Sequence, residues 1–226
     1  MNFSQSFSML TDLPLLSRAI AYILPLLFAF TVSAAAKAYA AYWCGDRSIK
    51  ASGRLTFHPL PHIDWLGTIA LPMLTILAPS PIMLGWTKPL PINIHAFKNP
   101  RRDLALVSAA TPLAHFVMAL VWMFLYLLSP KMGGNAQAIE SMGVVGIMIN
   151  ISFMLFSMIP LPPMEGGMIL LSLLPPKLAN ELAKIQPYTF WILIFLMLSG
   201  AFKYIFFPFF TVFLVLIQSI ASIFVA

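Results

Sequence analysis

The sequence predicts an all-α polytopic membrane protein of five to six transmembrane or re-entrant segments, joined by short membrane-surface strands or extended loops. Three observations carry this. Of the 226 residues, 60% are hydrophobic and 9% charged, with a mean hydropathy of +0.90, well outside the usage of soluble globular domains. Apolar runs long enough for a hydrocarbon core of about 30 Å recur at 14–43, 65–86, 104–128, 141–163 and 187–226. The net charge of +6 comes from Lys and Arg residues gathered in short loops beside those runs, which is the signature of cytoplasmic loops and not of a nucleic-acid surface. No repeat, low-complexity tract or linker divides the chain, so residues 1–226 read as a single integral-membrane domain.

The elements follow in order. Run 14–43 has Arg18 as its first positive residue and is too long for a signal-peptide core, so it reads as a retained transmembrane helix. Its end, "TVSAAAKAYAAYWCGD" (31–46), sets one charge, Lys37, among small residues before Gly45 and Asp46 break the helical pattern. Cys44 is the lone cysteine, which excludes an intramolecular disulfide framework and a Cys-based zinc cluster. Loop 44–63 (Arg47, Lys50, Arg54) and loop 87–103 (Lys88, Lys98, Arg101, Arg102) both look cytoplasmic, which conflicts with a single crossing by 65–86. Pro72, Pro79 and Pro81 resolve the conflict, because proline frees backbone groups and kinks helices, so this run is expected to be re-entrant or strongly kinked.

The stretches "GRLTFHPLPHID" (53–64) and "KPLPINIHAF" (88–97) are too irregular and proline-rich for helix and suit short strands or extended loops at the membrane surface. Run 104–128 then leads outward and 141–163 returns. Lys177 and Lys184 fall again in the cytoplasm, and the N-terminus lies outside. Run 187–226 holds one long helix or two short ones divided near Lys203.

Several stretches in one order, "GRLTFHPLPHIDWLGTIALP", "GWTKPLPINIHAFKNPRRD", "TPLAH", "IPLPPMEGGMIL" and "IQPYTFWILI", resemble the site-2 protease family of intramembrane zinc metalloproteases, in its small bacterial form. The resemblance spans about residues 28 to 215. It implies a multi-pass protein of the bacterial cytoplasmic membrane. It also implies a His-Glu-x-x-His helix whose two His bind zinc while the Glu acts as general base. A third ligand, an Asp of a Leu-Asp-Gly-Gly motif, follows a proline-rich break in that family. Aligned through Gly45 and Asp46, the pattern places the first His on Ser33, the Glu on Ala34 and the second His on Lys37, while Glu165 stands where the family has Asp. Thr111 and His115 replace a Gly and an Asn, Ser157 replaces a second Asn, and His58 a third.

These departures lead to the expectation of a pseudoprotease. No zinc is expected, since Lys37 and Ala34 supply neither ligand nor base. The partner is then a membrane-protein client held in a surviving peptide groove, for which Asn93, His95, Thr111, His115 and Ser157 are candidates. A lone ammonium on a membrane helix needs a counter-charge, so Lys37 is expected to pair with Glu165, with Ser33 completing its hydrogen bonds. Two alternatives keep catalysis. One is a rebuilt metal site of His115, Glu165 and another histidine. The other is a metal-free hydrolase in which Ser33 and Lys37, at i and i+4 on one face, serve as nucleophile and base.

Overall fold

The computed structural model describes residues 13–77 and 85–225, together with Gln5, Ser8 and Leu10. Helix α1 spans Leu15–Cys44 and stops where expected. Gly45 takes φ 123°, and a Cβ there would lie 2.7 Å from the Ala96 carbonyl oxygen, so both the conformation and the close approach demand glycine. A single turn, α2 (Ser48–Ala51), and a 3₁₀ turn at Leu60–His62 follow.

The next apolar run begins as a π-helical turn, Trp65–Ala70, that passes into α3, Leu71–Leu77. The Asp64 carboxylate caps its start, accepting the N–H groups of Leu66 and Gly67 at 3.1 and 2.8 Å. Pro79 and Pro81 lie outside the described residues. The two ends of the run nevertheless meet: the Trp86 N–H donates to the Gly67 carbonyl at 3.2 Å, and the Lys88 N–H to the His62 carbonyl at 2.9 Å. The two ends of the run thus lie side by side, an arrangement consistent with the like charge of its flanking loops.

Helix α4 covers Pro100–Leu128. It starts four residues earlier than the apolar run because Pro100 suits the first helical position, and because the Asp103 carboxylate accepts the Asn99 N–H at 2.9 Å. Helix α5 (Ala136–Ser157) is followed by a proline-rich break that contains the cis Pro162–Pro163 bond, then by α6 (Glu165–Leu173) and α7 (Pro176–Ala183). The last run is divided, at Ser199–Gly200, into α8 (Thr189–Leu198) and α9 (Ala201–Val225). Among the described residues no strand occurs; of the two forms expected for the surface segments, residues 85–93 take the extended-loop form.

Five helical stretches are long and apolar enough to cross a bilayer, making this a multi-pass integral membrane protein. Helix α5 is buried all round from Gly143 to Met154 and forms the axis of the bundle. Tyr22, Ala29 and Phe30 of α1, Trp122, Met123 and Tyr126 of α4, and Phe206, Phe210 and Ile217 of α9 pack about it. Nearer the membrane surface, Ala38 and Ala41 of α1 meet Ile49, Phe97 and Val107 in a second cluster. The alanines around Lys37 are thus close-packing residues: Ala35, Ala38 and Ala41 are fully buried, and their small side chains let other elements approach the α1 backbone.

Candidate functional site

Between α1, α4, the start of α6 and the extended segment 85–90 lies a cavity of about 850 Å³. Its walls are mainly apolar, including Phe30, Phe153, Phe156 and Leu193, with a polar group formed by Ser33, Lys37, Thr111, His115, Ser157 and Glu165. Large apolar cavities with a few convergent polar groups are the usual form of a binding site.

At its polar end, Lys37 Nζ donates to Glu165 Oε1 at 2.5 Å, linking positions 128 residues apart. The expected pair therefore forms. Both side chains are largely withdrawn from solvent, at 24% and 12% exposure. Thr111 Oγ1 stands 3.5 Å from the same carboxylate oxygen, while Oε2 is buried without a hydrogen-bond partner among the described residues. Glu165 reaches this position because Gly166 and Gly167 let α6 start directly against the proline-rich break. A Cβ at either position would come within 2.1 or 2.2 Å of backbone atoms at Met158 and Pro162. The break is held from the other side by Thr189, whose hydroxyl donates to the Pro162 carbonyl.

Ser33 corrects one expectation. Its hydroxyl donates to the carbonyls of Ala29 and Phe30, at 2.7 and 3.3 Å, so it satisfies the helix and not the Lys37 ammonium. A hydroxyl on a transmembrane helix finds its nearest acceptor four residues back. Ser157 also satisfies its own helix, donating three residues back to the Met154 carbonyl at 2.8 Å.

His115 is 4% exposed, and its Nδ1 lies 3.0 Å from Asn150 Oδ1. Asn150 Nδ2 in turn donates to the Gly146 carbonyl at 2.8 Å. Among the described residues no three His, Cys, Asp or Glu side chains are grouped to hold a metal ion. His58 is exposed in its loop. Asn93 and His95 do not line the cavity. The Asn93 N–H donates to Asp46 Oδ2 at 2.7 Å, and its side chain accepts the His95 N–H at 3.1 Å, closing a 3₁₀ turn, Ile94–Ala96.

The cavity wall near them is instead the segment 85–90, and its organisers were not singled out in the sequence. Arg54, 5% exposed, donates to the carbonyls of Pro61, Lys88 and Pro89, joining loop 54–62 to the extended segment. Asp46, fully buried, accepts from Ser48 and Asn93. His62, expected in a surface loop, is 2% exposed and lines the cavity. Its Nε2 faces the Thr56 carbonyl at 2.9 Å. Burial holds the imidazole below its ordinary pKa; the Thr56 carbonyl opposes this and the Arg54 charge adds to it. The available signal was the spacing of Asp64 and Arg54 around a proline-rich loop, since a charge in such a loop commonly satisfies backbone groups.

No protein-family model matches the chain, and no solved structure gives a significant match. A comparison with curated proteins finds one of Bacillus subtilis (strain 168), named "Putative zinc metalloprotease YwhC", 33% identical over 191 residues, which are 82% of this chain and 84% of the relative. At that identity and coverage, and with Glu165 after its proline-rich break brought against the helix that carries Ser33, Ala34 and Lys37, the chain belongs to the site-2 protease-like family of zinc metalloproteases.

Proposed function

We propose that this protein is a non-catalytic member of its family that binds membrane-protein clients in the 850 Å³ cavity without cleaving them. The observation that carries the reading is the Lys37–Glu165 pair, formed at the positions where the family resemblance puts a His ligand and the Asp ligand. The residues there do not suit zinc. A lysine ammonium is a donor with no lone pair to give, Ala34 has no polar atom, and the Ser33 hydroxyl is spent on its own helix. Glu165 is the one anionic ligand among them, and it already faces a positive charge. The same pairing leaves Lys37 unavailable as a base for Ser33, and the rebuilt-metal alternative lacks a third ligand among the described residues.

Client binding is supported by the backbone of the cavity wall. In segment 85–90, Trp86 and Lys88 turn both their N–H and C=O groups toward the protein, to Gly67, Thr68, His62 and Arg54. Backbone groups of an extended chain alternate in direction. Thr87 therefore presents its N–H and C=O to the other edge, and it has no hydrogen bond among the described residues. Such an edge pairs with an extended peptide through main-chain hydrogen bonds, with apolar pockets receiving alternate side chains.

Elemental analysis of purified protein, beside a cleavage assay on a panel of single-span substrates, tests the proposal. We expect far less than one zinc per chain after a mild chelator wash and no cleavage, together with capture of single-span membrane proteins by a photocrosslinker at Thr87. About one retained zinc per chain with substrate cleavage overturns it.

A further inference from the structure

A second concavity, of about 350 Å³, lies away from the cavity above, where the last turns of α1 meet the first turns of α4. It is lined by Ala40, Trp43 and Cys44 on one side and by Lys98, Arg102 and Leu106 on the other. We propose that it holds the phosphate headgroup of an anionic phospholipid in the leaflet that the charge pattern assigns to the cytoplasm.

The argument begins with which cations are already engaged. Loops 44–63 and 87–103 hold four arginines. Arg47 lies over the Tyr42 ring at 4.3 Å, Arg54 serves the Pro61, Lys88 and Pro89 carbonyls, and Arg101 donates to the Leu174 carbonyl. Arg102 has no ion pair or side-chain hydrogen bond among the described residues, and neither has Lys98. The Lys98 backbone N–H is fixed to the Cys44 carbonyl at 3.1 Å, which holds this residue at the end of α1. The one carboxylate of the lining, Asp103, is 6% exposed and accepts the Asn99 N–H at 2.9 Å, so its charge is directed into the cap of α4 and the groove keeps a positive excess.

Below these two cations the groove turns apolar in the direction of the bilayer. Leu106 lies one turn into α4 on the face of Arg102 and is 49% exposed, Ala40 lies one turn into α1 from Cys44, and Trp43 is 72% exposed at the level where tryptophan borders a membrane. A free anion would use the cations and leave this apolar floor in contact with lipid. A phospholipid uses both, its phosphate on Lys98 and the Arg102 fork and its acyl chain along Leu106 and Ala40.

Native mass spectrometry on protein released from nanodiscs containing equal phosphatidylglycerol and phosphatidylcholine tests this. The parent should retain one phosphatidylglycerol in preference to phosphatidylcholine. The Lys98→Ala/Arg102→Ala variant should bind it roughly thirtyfold more weakly, taking about one kilocalorie per mole for each cation. A Lys50→Ala/Lys177→Ala variant, with the same change in charge elsewhere, should match the parent. A photoactivatable phosphatidylglycerol on the unaltered protein should label residues 40–44 or 98–106, which keeps the proposal testable if the double variant folds poorly. Equal retention by both variants, labelling confined to other segments, or displacement of the lipid by an equal concentration of inorganic phosphate overturns the proposal.

Discussion

Two polar couples join helices in the interior of this protein, and they are built on different plans. His115 and Asn150 tie α4 to α5 at 3.0 Å, and the Asn150 amide passes the chain on to the Gly146 carbonyl. That couple is neutral as built and closed, with a partner for both ends of the amide. Lys37 and Glu165 tie α1 to α6 at 2.5 Å on a cavity wall, and one carboxylate oxygen is left with no donor among the described residues. A closed network fixes the register of two packed helices. An ionic couple with spare acceptor capacity, facing an 850 Å³ space, is the arrangement expected where something else is to bind.

The sharpest way to break this contrast is to remove one charge. Lys37→Met or Glu165→Leu alone should each cost about 3 kcal/mol of stability, because the remaining charge is left desolvated, while the double variant should stay close to the parent. A double-mutant cycle from unfolding in mixed micelles measures this; two single variants as stable as the parent would reduce the couple to the standing of an exposed pair. A smaller effect is expected at the closed couple. Asn150→Ala leaves the buried His115 ring without its partner, while the Gly146 carbonyl keeps its helical N–H, at a cost of about 2 kcal/mol that should not change with ionic strength.

The smallest effect concerns His62, a third buried polar contact, which lies in the 3₁₀ turn between α2 and the π-helical turn. Its folded-state pKa is depressed by burial, so the neutral ring contributes stability that is complete above about pH 6.5. That contribution is lost as the pH falls through the lowered folded value. Melting curves between neutral and mildly acidic pH should show the decline, and His62→Gln, which keeps a donor for the Thr56 carbonyl, should flatten it.

Hydropathy and charge made much of this architecture readable in advance. The spans follow from apolar run length, the meeting of the two ends of run 65–86 agrees with like-charged loops on both flanks, and the Lys37–Glu165 couple follows from the cost of an unpaired ammonium within a membrane. What the sequence concealed has a common cause. Arg54 joins segments more than thirty residues apart, Asp46 reaches Asn93, and His62 is buried only because the extended segment returns over it. Such contacts satisfy backbone groups of irregular loops and leave no periodicity to detect. Ser33 was misjudged for the opposite reason: its nearest acceptor is the preceding turn of its own helix, a local contact that competes well with a distant charge.

The Arg54 guanidinium has a mechanical consequence. Because one rigid fork grips Pro61, Lys88 and Pro89 together, and Lys88 is also bonded to His62, residues 54–62 and 86–90 are joined as one plate and not as two independent flaps. The plate's near edge begins beside Gly53, which has φ 70° and open space around it. Under the proposed client-binding function, entry past Trp86 has to displace that plate as a unit, and its stiffness is set by an arginine that does not line the cavity.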